Sequence, residues 1–408
     1  MGEGGASGKL HHGVKVEMGE AVLVTMGPSE ERRWGFYQFP HFWQTKRGEL
    51  VASCKVGDDS HDDAGERQPS PYLITHDGGR TWQKFTDEDA LQHARVLRDG
   101  TEIRSEKRHK RPAKEIDIKQ VGEYSEGNTS NVYLYEDLPD DMKGIKVLIR
   151  QPGSDTEEEV IAPLEMPRLC VKAMTRTMSS KGWLKLAGNV HTLVLQLTWT
   201  QCVELADGTL CYTLGAVRVD ENNKVLPGGS QMYLLASTNK GRSWQLRSTV
   251  AYIPDQAPWG LHEPTLTCLE NGTLVCVLRS DEGKDPRNLF TSTSSDDGFT
   301  WSKPNVLNCF GVEPELLTLE NGVTVVSYGR PGVELRFSYD GSGEQWTQPY
   351  VVHPGDKECP RLKTCGYSKL WATGPDRFLV LYSDFDHEHT DGDIHKAIKV
   401  KHVQVTRP

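Results

Sequence analysis

The chain has 408 residues, 57 of them acidic and 47 basic, for a formal net charge of −10. That balance argues against a bulk nucleic-acid binder, which would present a basic face, although a local arginine cluster can still bind an anion. No apolar run approaches the roughly 20 residues that span a bilayer, so neither nucleic acid nor membrane is expected as a partner.

Residues 1–13 are rich in glycine and read as a flexible tail with no apolar signal core. Residues 14–25 alternate like a strand. A glycine turn at Arg47-Gly-Glu-Leu50 then leads into an apolar strand, followed by the acidic stretch Asp58-Asp59-Ser60-His61-Asp62-Asp63. At Thr75-His-Asp77-Gly-Gly79-Arg-Thr81-Trp82 the chain shows a second kind of turn, a tryptophan turn. There an aspartate bonds its own backbone two residues on, glycine supplies a positive φ, and tryptophan anchors the returning strand.

A weaker copy of the glycine turn sits at Asp99-Gly-Thr-Glu102. Residues 104–120 are charge-rich and read as a loop, after which 130–136, 145–150 and 158–164 resume strand-like alternation. The glycine turn recurs at Asp207-Gly-Thr-Leu210, Asn271-Gly-Thr-Leu274 and Asn321-Gly-Val-Thr324, and more weakly at Gly374-Pro-Asp376. The tryptophan turn recurs at Ser237 to Trp244, Ser294 to Trp301 and, one residue longer, Ser338 to Trp346. Residues 399–406 form a last strand.

The glycines of the first kind of turn, at 48, 100, 208, 272, 322 and 374, recur about every 50 residues, with one interval about twice that. A period near 50 built from strands reads as a β-propeller blade. The expected fold is all-β: one six-bladed propeller over residues 14–408, with an insertion around 104–190. Pairing of the first and last strands would close the ring and remove an exposed edge. The nine cysteines are scattered and make no C-x-x-C pair. Buried, reduced thiols in a cytoplasmic protein are the expectation, with no zinc ribbon.

With these turns the sequence resembles the sialidase superfamily, six-bladed propellers in which the tryptophan turn is known as the Asp-box. The resemblance runs from residue 36 to residue 405. The turns speak for the fold only, so function rests on other residues. Family members use a tyrosine nucleophile with a glutamate base, an aspartate acid/base, and three arginines on the sugar carboxylate.

The segment from His262-Glu263 to Arg279 resembles the family's glutamate strand, which implies Glu263 as base and Arg279 as one carboxylate arginine. Tyr367-Ser368-Lys-Leu370 resembles the nucleophile run. A free phenol is neutral at pH 7, so it needs a carboxylate to take its proton. Arg330 stands about as far before Asp340 as the third family arginine before its Asp-box, with Arg336 as the other candidate. In the first blade, register puts Asp62 at the acid/base position, with Asp58, Asp59 and Asp63 as competitors. It puts Gln38 where the family has its first arginine.

Gln38 offers a neutral donor and acceptor. The resemblance therefore implies a divergent glycosidase acting with retention on a terminal sialic acid or related acidic sugar, with no metal or organic cofactor. Two alternatives stay open: a carbohydrate-binding propeller without chemistry, and a uronate polysaccharide lyase with a tyrosine base. The histidine- and aspartate-rich run from Asp384 to His395 matches no zinc spacing and reads as a solvated loop.

Overall fold

The computed structural model describes residues 9–11, 13–57, 67–125, 128–179, 182–197, 201–281, 287–308 and 310–407. These residues form β-strands joined by turns and short 3-10 segments. Five of the six expected glycine turns are one and the same hairpin. Gly48, Gly100, Gly208, Gly272 and Gly322 all have φ between +77° and +87°. Their amides donate to the carbonyls of Thr45, Leu97, Leu205, Leu269 and Leu319. The sixth turn differs, and Gly374 pairs with Arg377 instead.

Six sheets carry the six glycine turns, one in each. The first holds Phe36–Gln44, Leu50–Gly57, Tyr72–Thr75 and Gln83–Lys84, with Arg67–Gln68 beside Leu50–Gly57. Arg95–Val96, Glu102–Glu106, Ile145–Arg150 and Glu158–Ala162 make the second. The third comprises Cys202–Glu204, Leu210–Ala216, Gln231–Ser237 and Trp244–Ala251, with Leu164–Glu165 added in parallel. The fourth runs Gly260–Cys268, Leu274–Asp281, Leu289–Ser294, Asn305–Asn308, and the fifth Val312–Thr318, Thr324–Gly329, Val333–Ser338, Tyr350–His353. Ser368–Gly374, Arg377–Glu388 and Ile394–Thr406 form the sixth, and Val14–Met18 and Val22–Met26 both pair with Ile394–Thr406.

A seventh sheet is built from Lys110–Pro112, Gln120–Ser125, Thr129–Leu134, Cys170–Ser179 and Gly182–His191. It interrupts the second sheet after Glu102–Glu106, which accounts for the doubled interval. The loop expected over 104–120 is therefore corrected: its two ends and Lys110–Pro112 are strands. Charge hides them. Lys146 pairs with Glu106 and Glu159, and Arg150 with Glu102, across neighbouring strands, while Arg104 pairs with Glu106 on its own strand and with Glu157 just before another. Opposite charges facing each other across a sheet stabilise it without apolar alternation. The run from Asp384 is likewise a hairpin of two long strands rather than a loop, and His395 bonds the Gly27 carbonyl and Asp391.

The tryptophan turns join the third and fourth strands of four sheets. In each, the leading Ser or Thr hydroxyl bonds the Asp or Asn two residues on. In the first, third and fourth sheets it also receives a glycine amide. The tryptophan then enters the apolar seam between adjacent sheets: Trp82 between the sixth and first, Trp301 between the third and fourth, Trp346 between the fourth and fifth. The first strands of the first, fourth, fifth and sixth sheets line one cavity of about 980 Å³, together with residues 92–96, Gln196, Leu197 and Gln201.

Candidate active site

Three first strands break their ladder in the same way. Phe39-Pro40, Glu263-Pro264 and Glu313-Pro314 sit at register shifts between Gln38 and His41, His262 and Thr265, and Val312 and Glu315. Proline has no amide to donate, so the ladder must yield there. The preceding residue takes a left-handed φ: 50° at Phe39, 47° at Glu263, 41° at Glu313. Such backbone costs of order 1–3 kcal/mol per residue and clusters at functional sites. Tyr367 occupies the matching place in the sixth sheet, since Tyr367-Ser368-Lys369-Leu370 runs parallel to Glu313-Pro314-Glu315-Leu316.

These four residues meet. The Tyr367 hydroxyl donates to Oε1 of Glu263. The Glu313 amide donates to Oε2 of Glu263 at 2.7 Å. Nη1 of Arg279 lies 3.2 Å from Oε1 of Glu263, whose side chain is 17% exposed. The Phe39 and Tyr367 rings are 4.5 Å apart between centroids, and the Lys55 ammonium is 5.4 Å from the Phe39 ring.

Burial pushes Glu263 upward, but Arg279, the Tyr367 hydroxyl, the Glu313 amide and Arg330 outweigh it and hold its carboxyl below the usual range. Burial and then the carboxylates of Glu263 and Glu313 lift the Tyr367 phenol well above its ordinary value, against the pull of Arg279 and Arg330. A neutral phenol thus hydrogen-bonds an ionised carboxylate. That arrangement can pass the phenol proton to Glu263 as the phenol oxygen attacks an electrophile.

A second layer lies two residues further along the same strands. Nζ of Lys369 sits 2.5 Å from Glu315 and 3.2 Å from Glu313. Burial lowers the Lys369 ammonium, yet Glu315 and Glu313 together raise it above its ordinary value. Oγ1 of Thr265 accepts the Leu316 amide and Oε1 of Glu315 accepts the Leu370 amide, each at 3.0 Å. These bonds tie the fourth sheet to the fifth and the fifth to the sixth. His41 is pushed down to about 3 by burial and then by Lys369, so it stays neutral at pH 7.

Arg330 is 8% exposed with φ 59°. Its Nε donates to the Cys365 carbonyl at 3.3 Å, and it pairs with no carboxylate among the described residues. The neighbouring glycines bring it here. A Cβ on Gly329 would lie 1.8 Å from the Gly366 carbonyl oxygen, so the two backbones touch only because neither residue has a side chain. Arg336 is engaged elsewhere, by the Tyr328 hydroxyl, the Thr347 carbonyl and Asn308. The geometry therefore sets Arg330, and not Arg336, beside the Tyr367–Glu263 pair.

Tyr367, Glu263, Arg279 and Arg330 are thus brought together. Gln38, next to Phe39, is 0% exposed, and neither amide atom is hydrogen-bonded among the described residues. Asp62, with Asp58, Asp59 and Asp63, lies outside the described residues. The expected set lacked Glu313, Phe39 and the Lys369–Glu315 pair. A signal for Glu313 was present, because Glu-Pro-Thr-Leu at 263 and Glu-Pro-Glu-Leu at 313 are one pattern. Among the described residues no cluster of three His, Cys, Asp or Glu is placed to hold a metal ion.

Among solved structures, a protein of unknown function from Dyadobacter fermentans is 18% identical, with 96% of this chain and 99% of that one covered and a TM-score of 0.59. An alpha-L-arabinanase from Penicillium chrysogenum is 16% identical over 94% and 98%, at 0.45. A sialidase from Streptococcus pneumoniae is 13% identical over 94% and 70%, also at 0.45. At 18% identity the likeness to the Dyadobacter fermentans protein speaks for the fold alone. Among curated proteins none matches the chain in sequence. The BNR repeat-like domain family matches residues 170–379, just over half the chain, and takes in three of the four tryptophan turns together with Glu263, Arg279, Arg330 and Tyr367. The chain belongs to the BNR repeat-like domain family.

Proposed function

We propose that this protein is a retaining exo-glycoside hydrolase acting on a terminal acidic sugar, sialic acid or a close relative. One observation carries the reading: the Tyr367 hydroxyl is bonded to a Glu263 carboxylate that Arg279 and the Glu313 amide hold in place. Six sheets act as propeller blades around the cavity, with the first and last strands closing the ring, and the seventh sheet is an insertion.

In the first half-reaction the Tyr367 oxygen bonds to the anomeric carbon as the glycosidic bond breaks, and Glu263 takes the phenol proton. Asp62 protonates the departing oxygen. In the second half Asp62 draws a proton from water, whose oxygen replaces Tyr367 at the anomeric carbon, and Glu263 returns the proton to the phenol. Arg330 and Arg279 bind the sugar carboxylate, for which a guanidinium fork is suited. Arg330 is the stronger of the two, because Arg279 already faces Glu263. Gln38 contributes a neutral contact where a third cation would otherwise stand.

The test is release of fluorophore from an α-linked sialic acid glycoside by the wild type and by Tyr367→Phe. Turnover that collapses in the variant supports the reading. Equal turnover in both, or an unsaturated product absorbing in the near ultraviolet, overturns it.

A further inference from the structure

Four sheets bring one equivalent position to one place: Phe39, Glu263, Glu313 and Tyr367. Three of these are accounted for by the nucleophile, its base, and the ring packed against the nucleophile. The side chain of Glu313 is not. It lines the same cavity as Tyr367 and is 24% exposed. Its Oε1 is held by Lys369 at 3.2 Å, and its Oε2 has no hydrogen-bond partner among the described residues.

Glu315, which shares that lysine, makes a useful contrast. It is 5% exposed, and its carboxylate is taken up by the Leu370 amide and Lys369. Two carboxylates thus share one cation and both line the cavity, and Glu313 is the more exposed of the two. Lys369 restrains Oε1 of Glu313 and leaves Oε2 without a hydrogen-bond partner among the described residues.

We propose, resting on the hydrolase reading, that Glu313 is a specificity-determining residue that touches the substrate: its Oε2 makes a hydrogen bond with a hydroxyl or amide group of the sugar unit attacked by Tyr367. Arg330 and Glu313 then divide recognition between them. The sugar presents its carboxylate to the arginine and an uncharged polar group to the glutamate.

The experiment uses full-length Tyr367→Phe as a protein that binds without turnover. Binding of the methyl α-glycoside of N-acetylneuraminic acid is measured by calorimetry in that background, alone and with Glu313→Ala or Glu313→Gln. Glu313→Ala is expected to weaken binding about 10- to 100-fold, the loss of one hydrogen bond to a charged group. Glu313→Gln should return to within about threefold of the parent, because an amide of the same shape still bonds a hydroxyl or amide.

An alanine variant that binds as tightly as its parent overturns the proposal and leaves the hydrolase reading intact. Equal weakening by Ala and Gln assigns the effect to the broken Lys369 pair and also overturns it. If the parent binds nothing and the wild type releases no fluorophore, the hydrolase reading fails and this proposal fails with it.

Discussion

The tryptophan turns and the starts of the first strands are both repeats, yet they hold together in opposite ways. In the turns the key bonds are local. Ser294 donates to Asp296, receives the Gly298 amide, and Asp296 in turn receives Thr300, all within a few residues. At the strand starts the bonds are remote. Glu263 meets Glu313 across 50 residues and Tyr367 across 104. The loop of a turn is therefore set by its own residues, even though its tryptophan packs against the adjacent sheet. A strand-start residue exists as a functional group only when three sheets are assembled around it.

The largest expected effect falls on the remote set. Tyr367→Phe and Glu263→Gln should each lower turnover of an acidic α-glycoside by about 10³-fold or more, on the scale of losing a nucleophile or its base. Thermal unfolding should show both variants folded. A comparable fall from a turn variant such as Ser294→Ala would break the distinction between local and remote repeats. Next comes Arg330→Ala, expected to raise KM about 10- to 100-fold through loss of one charged contact, with kcat less affected. Arg336→Ala should leave KM for the same glycoside within about threefold, because its guanidinium is taken up by Tyr328, Thr347 and Asn308.

The pH dependence follows from the direction of the shifts. Glu263 has its carboxyl held below 4.5 in the folded protein. It therefore stays ionised as pH falls through 4.5, and its share of the acid loss of turnover should begin only below that value. The same depression contributes stability that is fully present above the unfolded value and is lost as pH falls through the folded one. Asp296, lowered chiefly by its Thr300 hydrogen bonds, acts in the same sense. Acid unfolding followed by circular dichroism, beside a pH–rate profile, checks both. Turnover lost well above pH 4.5, in a variant set where Asp62 is unchanged, would contradict the Glu263 assignment.

The smallest effect belongs to the turns. Ser294→Ala removes a buried hydroxyl that accepts the Gly298 amide at 2.9 Å. Urea unfolding should register a loss of about 1 kcal/mol, with turnover unchanged.

The same contrast explains what the sequence made legible. Turn chemistry is written in adjacent residues, so the glycine turns and tryptophan turns could be read, and with them an all-β repeat fold. The strand residues at 104–106 could not, because they are stabilised by ion pairs to Lys146 and Glu157, which lie 40 or more residues away. Tyr367, Glu263, Arg279 and Arg330 were reached by resemblance rather than by physics. Glu313 was legible in the shared Glu-Pro-x-Leu pattern with Glu263, but its bond to Glu263 depends on two sheets meeting and is not written in adjacent residues.

The central claim is that Tyr367 attacks the sugar. The most direct test is to soak the wild type with a fluorinated acidic sugar that slows the second half-reaction, then locate the added mass by peptide mass spectrometry. The account predicts a glycosyl adduct on the peptide carrying Tyr367, absent in Tyr367→Phe. Turnover of the α-glycoside that persists in Tyr367→Phe, with the adduct on another residue, would contradict it.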